Sequence, residues 1–318
     1  MECEPDEYTA EKYLTAKRTV DDRALHRPTI DRLVEELAAR AGDRSEPLRI
    51  LEVGVGVGTM LERLLAWELL PPGPVEYVGV DQNPAAIEAA RNRARSLSDH
   101  EPSEAAAVTI ERTDGQRITA EYHIGDALAF AEKTDPVDLL IGMAFVDLID
   151  LPHDLSTLCT ALRRDGLAYF PITFDGETIF TPVSDPQFES QLLDTYHATM
   201  DASDRPGTST TGRSLLHEAV PPELSLCSAG GSDWVVHPVR TEPPHYAADE
   251  AYFLHHIVNT VHTAVESFEP PLGIHSNPID TPTLEQWAET RHNQIGDGEL
   301  TYVAHQYDLL FAADANRT

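Results

Sequence analysis

Ile50-Leu51-Glu52-Val53-Gly54-Val55-Gly56-Val57-Gly58-Thr59 is the stretch on which the architecture turns. The apolar run from Leu48 to Val53 reads as a short buried strand, and it ends in glycines at alternate positions. Glycine lets a backbone turn sharply between strand and helix, and lets a bulky ligand lie against main-chain amides. A dinucleotide fingerprint, G-x-G-x-x-G, would put its third glycine at position 59. Position 59 is threonine, and the third glycine is Gly58. Asp81 follows Glu52 by 29 residues, at the end of the next apolar run. In dinucleotide enzymes a carboxylate at such a point accepts from ribose hydroxyls.

Downstream, Met60 to Leu70 reads as a helix closed by Pro71-Pro72-Gly73. The unit then repeats, with a strand from Val75 to Val80, an acidic turn at Asp81 and a helix from Pro84 to about Leu97. Residues 98–105 are loop-like, and runs 106–112 and 117–124 flank Asp114-Gly115 as a hairpin leading to Gly125-Asp126. Val137 to Met143 gives a fourth buried strand, 154–163 a helix and Leu167 to Thr173 a fifth strand. Upstream, Val20, Ala24, Leu25, Ile30, Leu33, Val34, Leu37 and Ala38 recur at helical spacing over 19–41, a helix that Pro28 divides. Strands alternating with helices predict an α/β fold with a doubly wound parallel sheet.

After Phe174 the texture changes. Residues 175–213 are rich in Asp, Thr, Ser, Pro and Gly, with one helical stretch near 186–200, as expected of a cap inserted over the carboxyl ends of the strands. Sequence 223–238 is strand-like around Gly230-Gly231, 246–267 and 282–295 are helical, and 299–311 is a last strand.

The E-x-G-x-G-x-G pattern resembles motif I of class I S-adenosylmethionine-dependent methyltransferases. The resemblance implies that Glu52, Gly54, Gly56 and Gly58 approach the amino-acid and ribose parts of the cofactor, and that Asp81, followed by Gln82, binds the ribose hydroxyls. Because this cofactor has no pyrophosphate, its sulfonium and ammonium tolerate an acidic Glu52. Gly125-Asp126-Ala127 matches the family position where an acid contacts the adenine amino group. Met143-Ala144-Phe145 matches the stretch under the methionine portion, and Arg164 to Phe170 looks like the turn into strand five. The implied fold is a Rossmann-like, doubly wound, seven-stranded sheet with helices on both faces. Its last strand, here 299–311, is antiparallel between strand five and a sixth strand from 223–238. The chain then divides as one methyltransferase domain over 1–318. Within it lie an N-terminal helical segment (1–47), a cofactor core (48–174), a cap (175–222) and C-terminal strands and helices (223–318) that complete the sheet.

Charge excludes several partners. With 23 Lys plus Arg against 54 Asp plus Glu, the formal charge is 23 − 54 = −31. A nucleic-acid backbone must be met by clustered cations, and an anionic membrane surface would be repelled. Lys12, Lys17 and Lys133 are the only lysines, and this balance points to a halophile's cytoplasm, where salt screens self-repulsion. An acidic mesophilic enzyme is the alternative. Cys3, Cys159 and Cys227 show no metal or disulfide pattern, and the acidic start Met1-Glu2-Cys3-Glu4 is unlike a signal peptide. No apolar stretch approaches the roughly 20 residues that span a bilayer. A cytoplasmic location is the expectation, and oligomeric state is not legible.

Methyl transfer is an in-line displacement, which needs the acceptor held close to the methyl; a general base enters only if the acceptor must lose a proton. Asp175, after Phe174 at the end of strand five, is a candidate base or cation binder, or a turn former before Gly176. His153 is a second candidate base, or a helix-start residue. Tyr196, His197 and Met200 share a helical stretch and would wall an acceptor pocket or pack the cap, with His197 a third candidate base. Arg213, after Gly212, is a candidate clamp for an acceptor carboxylate or phosphate, or a solvated ion-pair residue. Phe174, Phe180, Tyr196 and Trp234 point to an apolar or aromatic acceptor. Tyr13, Lys17, Arg18 and Arg23 lie where related enzymes close an N-terminal segment over the cofactor. His255, His256 and His262 share a predicted helix without a metal-ligand pattern.

Position 143 onward reads Met-Ala-Phe-Val, unlike the Asn- or Asp-Pro-Pro-aromatic motif of nucleic-acid amino methyltransferases. Aminopropyl transferases are expected to carry an acid at the end of strand four, and the nearest, Asp147, lies four residues past Met143. Protein methylation stays open. The two functional readings are methyl transfer to a small-molecule acceptor, and a non-catalytic regulatory or scaffolding protein that binds S-adenosylmethionine or S-adenosylhomocysteine.

Overall fold

The computed structural model describes residues 4–41, 46–98, 107–202, 206–268 and 279–314. Cys3 and most of the expected loop at 98–105 lie outside them. Three helices, α1 (Ala10–Ala16), α2 (Arg18–Ala24) and α3 (Arg27–Ala41), precede the first strand, β1 (Leu48–Val53). α4 (Thr59–Ala66), β2 (Val75–Asp81) and α5 (Pro84–Ser96) follow. α5 starts where Asn83 accepts from Ala85 and Ala86 N–H with proline in the first turn. Strands β3 (Val108–Glu111) and β4 (Arg117–Ile124) form the hairpin, followed by α6 (Ala127–Ala131), β5 (Val137–Ile141), α7 (His153–Cys159) and β6 (Leu162–Thr181). The remaining elements are α8 (Pro186–Met200), α9 (Thr211–Ser214), β7 (Leu224–Gly231), β8 (Trp234–Val236), α10 (Glu250–Glu266), α11 (Thr281–Gly296) and β9 (Thr301–Ala313).

The strand order is β3-β4-β2-β1-β5-β6-β9-β7, with β8 paired to β9. Pairs β1·β2, β1·β5, β2·β4 and β5·β6 are parallel, while β3·β4, β7·β9 and β8·β9 are antiparallel. The sheet therefore has nine strands where seven were expected. The hairpin's first arm adds an edge strand, and 223–238 splits into β7 and β8. The break falls at Ser232-Asp233, between Gly231 and Trp234, and Gly230 stays in the ladder opposite Asp308, where a Cβ would lie 2.2 Å from the His26 ring.

A second difference concerns α7 and β6. The expected helix 154–163 ends at Cys159, and the expected strand 167–173 is 20 residues long. Val137 N–H donates to the Ala161 carbonyl at 2.8 Å, which draws the chain into the ladder from Leu162. The charged stretch before Gly166 is accommodated by a register shift, with Val137 opposite Leu162 and Leu139 opposite Leu167.

The chain forms two compact units. Leu25–Asp175, Thr210–Ser232 and Gln306–Thr318 make one; Met1–Ala24, Gly176–Ser209 and Asp233–His305 make the other. Of the segment 175–222, read from sequence as one cap, Gly176–Ser209 belongs to the second unit, while Asp175 and the residues from Thr210 on belong to the first.

In the sheet unit, Leu51 and Val53 pack with Leu140, Phe170, Leu155, Leu158 and Phe311 in one core. A strand's period of two sends Ile50 and Glu52 to the opposite face, where Glu52 meets Tyr77. Asp308, fully buried on β9, accepts from His26 N–H (2.8 Å), Tyr169 Oη (3.0 Å) and Ile172 N–H (3.0 Å). It thereby fixes the start of α3 and the bend of β6, where Ile172 has φ 57°.

The other unit is mainly helical. Glu189 on α8 accepts from Arg291 Nη2 (2.6 Å) and Trp287 Nε1 (3.0 Å) on α11. Phe180 packs edge-on to Trp287, and Tyr13 stacks on His256 of α10 with centroids 4.2 Å apart. No described helix is long and apolar enough to cross a membrane.

Candidate functional site

The sheet order reverses between β1 and β5, since β2 and β4 extend to one side of β1 and β5 and β6 to the other. In doubly wound sheets ligands bind outside the carboxyl ends of the strands at that switch. Here those ends carry Gly54 to Gly58 after β1, Asp81 after β2, Asp126 after β4 and Met143 to Phe145 after β5.

Gly54, Gly56 and Gly58 all have positive φ, at 63°, 52° and 77°. This region is open to glycine and strained for most side chains. A Cβ on Gly54 would also lie 2.4 Å from the Phe145 ring. The loop's amides are used internally. Val55 N–H donates to the Val80 carbonyl (3.1 Å) and Gly58 N–H to the Val55 carbonyl (3.0 Å). Gly56 N–H donates to Asp81 Oδ2 at 2.9 Å, and Asn83 N–H to Asp81 Oδ1 at 2.8 Å. A carboxylate thus takes one amide of the loop and brings negative charge to it.

Asp126 caps α6 through Ala129 N–H (2.9 Å) and accepts from Gln82 Nε2 (3.0 Å). Both are exposed beside Asp81, while Ala127 turns into the core. Ile124, just before them, is 61% exposed, an apolar wall next to two carboxylates. Met143 is half-buried with Sδ 3.3 Å from Arg63 Nη1, and Arg63 also donates to Thr59 Oγ1 at 2.9 Å. Ala144 follows with φ 48° and donates its N–H to the Pro171 carbonyl (2.9 Å), which aims Phe145 at Gly54.

Glu52 lies behind the loop and is buried, hydrogen-bonded by the Tyr77 hydroxyl. Burial pushes its carboxyl up to about 8; the Tyr77 bond and the Arg63 charge oppose this, and the Asp81 charge adds to it. Tyr77 and Arg63 are the residues sequence reasoning missed. Tyr77 carried a signal, a polar-tipped ring in an apolar strand. Arg63 carried one only in retrospect, as a charge on the buried face of α4, where Met60, Leu61, Leu64 and Leu65 are also buried.

Two of the acceptor-side candidates are brought together, in the arrangement of a cation binder with an ion-pair arginine. Asp175 is buried and accepts from Arg213 N–H (2.7 Å) and from Arg213 Nε on both oxygens (3.0 Å each). The expected base and the expected clamp are therefore bonded to each other. Gly212 allows this, since a Cβ there would lie 2.7 Å from Tyr307 and 3.0 Å from Asp175. Phe174 is half-buried beside the pair, and His153 is exposed as the first residue of α7.

Tyr196, His197 and Met200 belong to the helical unit. His197 Nε2 lies 3.0 Å from Thr178 Oγ1, and burial lowers its proton affinity. Phe180 and Trp234 are core residues there, at 1% and 9% exposure. In the same unit, Lys17 pairs with Asp21 (3.2 Å), Arg18 with Asp22 (3.7 Å) and Arg23 with Glu250 (2.5 Å). His255 meets His292, Nδ1 to Nδ1 at 2.8 Å. Among the described residues no group of three or more His, Cys, Asp or Glu is placed to hold a metal ion.

No protein-family model matches the sequence, and no curated protein matches it. Solved structures are similar at a distance. A cyclopropane synthase from Mycobacterium tuberculosis is 12% identical, with 90% of this chain and 83% of that chain covered, at a TM-score of 0.42. The phosphoethanolamine N-methyltransferase 2 of Haemonchus contortus, in complex with S-adenosylhomocysteine, is 13% identical over 88% of this chain and 52% of that one, at 0.37. A geranyl diphosphate methyltransferase in complex with sinefungin is 14% identical over 88% and 76%, at 0.40. TM-scores this low leave the assignment to the site's own geometry.

Proposed function

We propose that the chain binds S-adenosylmethionine at the Gly54 to Gly58 loop and transfers its methyl group to a small-molecule acceptor. The observation that carries this reading is the bond from Gly56 N–H to Asp81 Oδ2. It holds a carboxylate against the glycine loop, where the charge of a phosphate-bearing nucleotide would be opposed. Such a site favours a nucleoside with a free ribose diol and a cationic tail.

The donor set fits that ligand. Asp81 would accept from the ribose hydroxyls through its remaining lone pairs, and Asp126, steadied by Gln82, would accept from the adenine amino group. Ile124 offers apolar contact beside them. Gly54 and Phe145 would bound the methionine portion, and Met143 would exclude water next to it. The cofactor supplies a methyl group activated on a sulfonium. The chain's contribution is to hold that tail in an acidic, water-poor crevice and to align the acceptor. Asp175 neutralised by Arg213 is suited to shaping the acceptor's surroundings rather than to taking its proton. A high-salt cytoplasmic setting, with neither nucleic acid nor membrane as partner, belongs to the same reading.

Calorimetric titration with S-adenosylmethionine and S-adenosylhomocysteine in molar KCl tests it. Wild type should bind with micromolar Kd, about −8 kcal/mol, and Asp81→Ala should bind at least tenfold more weakly. A folded protein that binds neither ligand would remove the proposal. Binding without turnover on a panel of small acceptors would leave the regulatory reading.

A further inference from the structure

Glu52 invites a question about discrimination at this site. Its carboxyl is buried at the penultimate residue of β1, two positions before Gly54, and its polar contact is the Tyr77 hydroxyl. The charged and titratable groups around it come from three further elements. They are Tyr77 and Asp81 on β2, Arg63 on α4 and Tyr122 on β4. Asp81, held by the loop's own Gly56 N–H, already acts electrostatically on Glu52. Charge placed on the loop is therefore felt behind it, as expected where solvent is excluded.

A cofactor and its product differ at this point by one charge, since the sulfonium becomes a neutral thioether when the methyl leaves. We propose that the buried Glu52–Tyr77 couple is a specificity-determining device that releases a proton when the sulfonium form occupies the loop and takes it back with the thioether. This rests on the S-adenosylmethionine reading of the same site. The step is an ionisation: the O–H bond of the Glu52 carboxyl breaks, its electron pair stays on the carboxylate and the proton goes to solvent. Burial supplies the reservoir, because the free carboxyl keeps its proton up to about pH 8. The sign follows from linkage. A ligand that favours the carboxylate binds more tightly as pH rises, until the free carboxyl has itself ionised. The preference for sulfonium over thioether therefore grows with pH below about 8 and levels off above it.

Titrating S-adenosylmethionine and S-adenosylhomocysteine into wild type in buffers of different ionisation enthalpy, from pH 6 to 9, reads the proton directly. The expected result is more proton release with the sulfonium than with the thioether. The ratio of their affinities should rise with pH by at least about threefold, and by no more than about tenfold per pH unit. Glu52→Gln should bind both ligands with no difference in proton release. Tyr77→Phe removes a bond that favours the carboxylate, so the pH at which the ratio levels off should move upward; this arm serves if Glu52→Gln does not fold. Equal proton release for the two ligands in wild type, or the same difference in Glu52→Gln, overturns the inference while the cofactor reading stands. Failure of both ligands to bind wild type overturns the cofactor reading itself.

Discussion

At the scale of single residues, Glu52 brings together the sequence's clearest signal and its least legible consequence. The motif placed an acid at the end of β1, but its behaviour depends on Tyr77, Arg63 and full burial, which no spacing encodes. One effect reaches stability without any ligand. Its carboxyl stands at about 8 in the folded chain against 4.5 for the free side chain. The folded state therefore binds the extra proton between those values, and stability falls as pH rises through that window, by at most about 1.4 kcal/mol per pH unit. Other groups titrate over the same range, so the informative quantity is a difference. Urea denaturation of wild type and Glu52→Gln from pH 5 to 8.5 should show wild type losing stability relative to the variant as pH rises. A constant difference would mean that Glu52 is ionised throughout. The Asp175 and Arg213 pair teaches a complementary lesson: each was readable as a lone functional group, and their partnership required the fold to bring residues 38 apart into contact.

At the scale of elements, Asp308 ties three pieces of the sheet unit together: the start of α3, the bend of β6 and β9 itself. Replacing it with alanine leaves the His26 N–H, the Tyr169 hydroxyl and the Ile172 N–H without their acceptor. Each orphaned buried donor costs about 1–3 kcal/mol, so Asp308→Ala should lose about 3 kcal/mol or more in urea denaturation. A loss below about 1 kcal/mol would mean that the three donors find other acceptors. The parallel core was legible because its strands are continuous apolar runs punctuated by glycine and proline. Caps at Asn83, Asp185 and Asp280 set the starts of α5, α8 and α11 close to where the periodicity put them. Two kinds of feature were not legible. Helix α1 is seven residues long, too short for periodicity to register. The early start of β6 is decided by pairing with β5 across a charged stretch, a tertiary effect that overrides local composition.

At the scale of the whole molecule, the formal charge of −31 is the largest feature that the sheet and its site do not explain. Self-repulsion among 54 acids works against any compact state. Local compensation is partial: the arginines form ion pairs such as Arg93 with Glu62 (3.0 Å) and Arg32 with Glu35 (3.4 Å), but 23 cations cannot neutralise all the acids. Salt opposes the repulsion, since the screening length falls from about 10 Å at 0.1 M to about 3 Å at 1 M. Salt also weakens exposed ion pairs, but these contribute only about 0–1 kcal/mol each. Repulsion summed over an excess of 54 − 23 = 31 acids should dominate. Thermal unfolding should therefore shift to higher temperature as KCl rises from 0.1 to 2 M, with most of the gain below 1 M, where the screening length changes most. Because sulfate also strengthens apolar burial, a matched series in potassium sulfate separates the two causes. Agreement of the two salts at equal ionic strength assigns the effect to charge. A flat response in KCl would detach the acidic composition from stability and favour the mesophilic alternative.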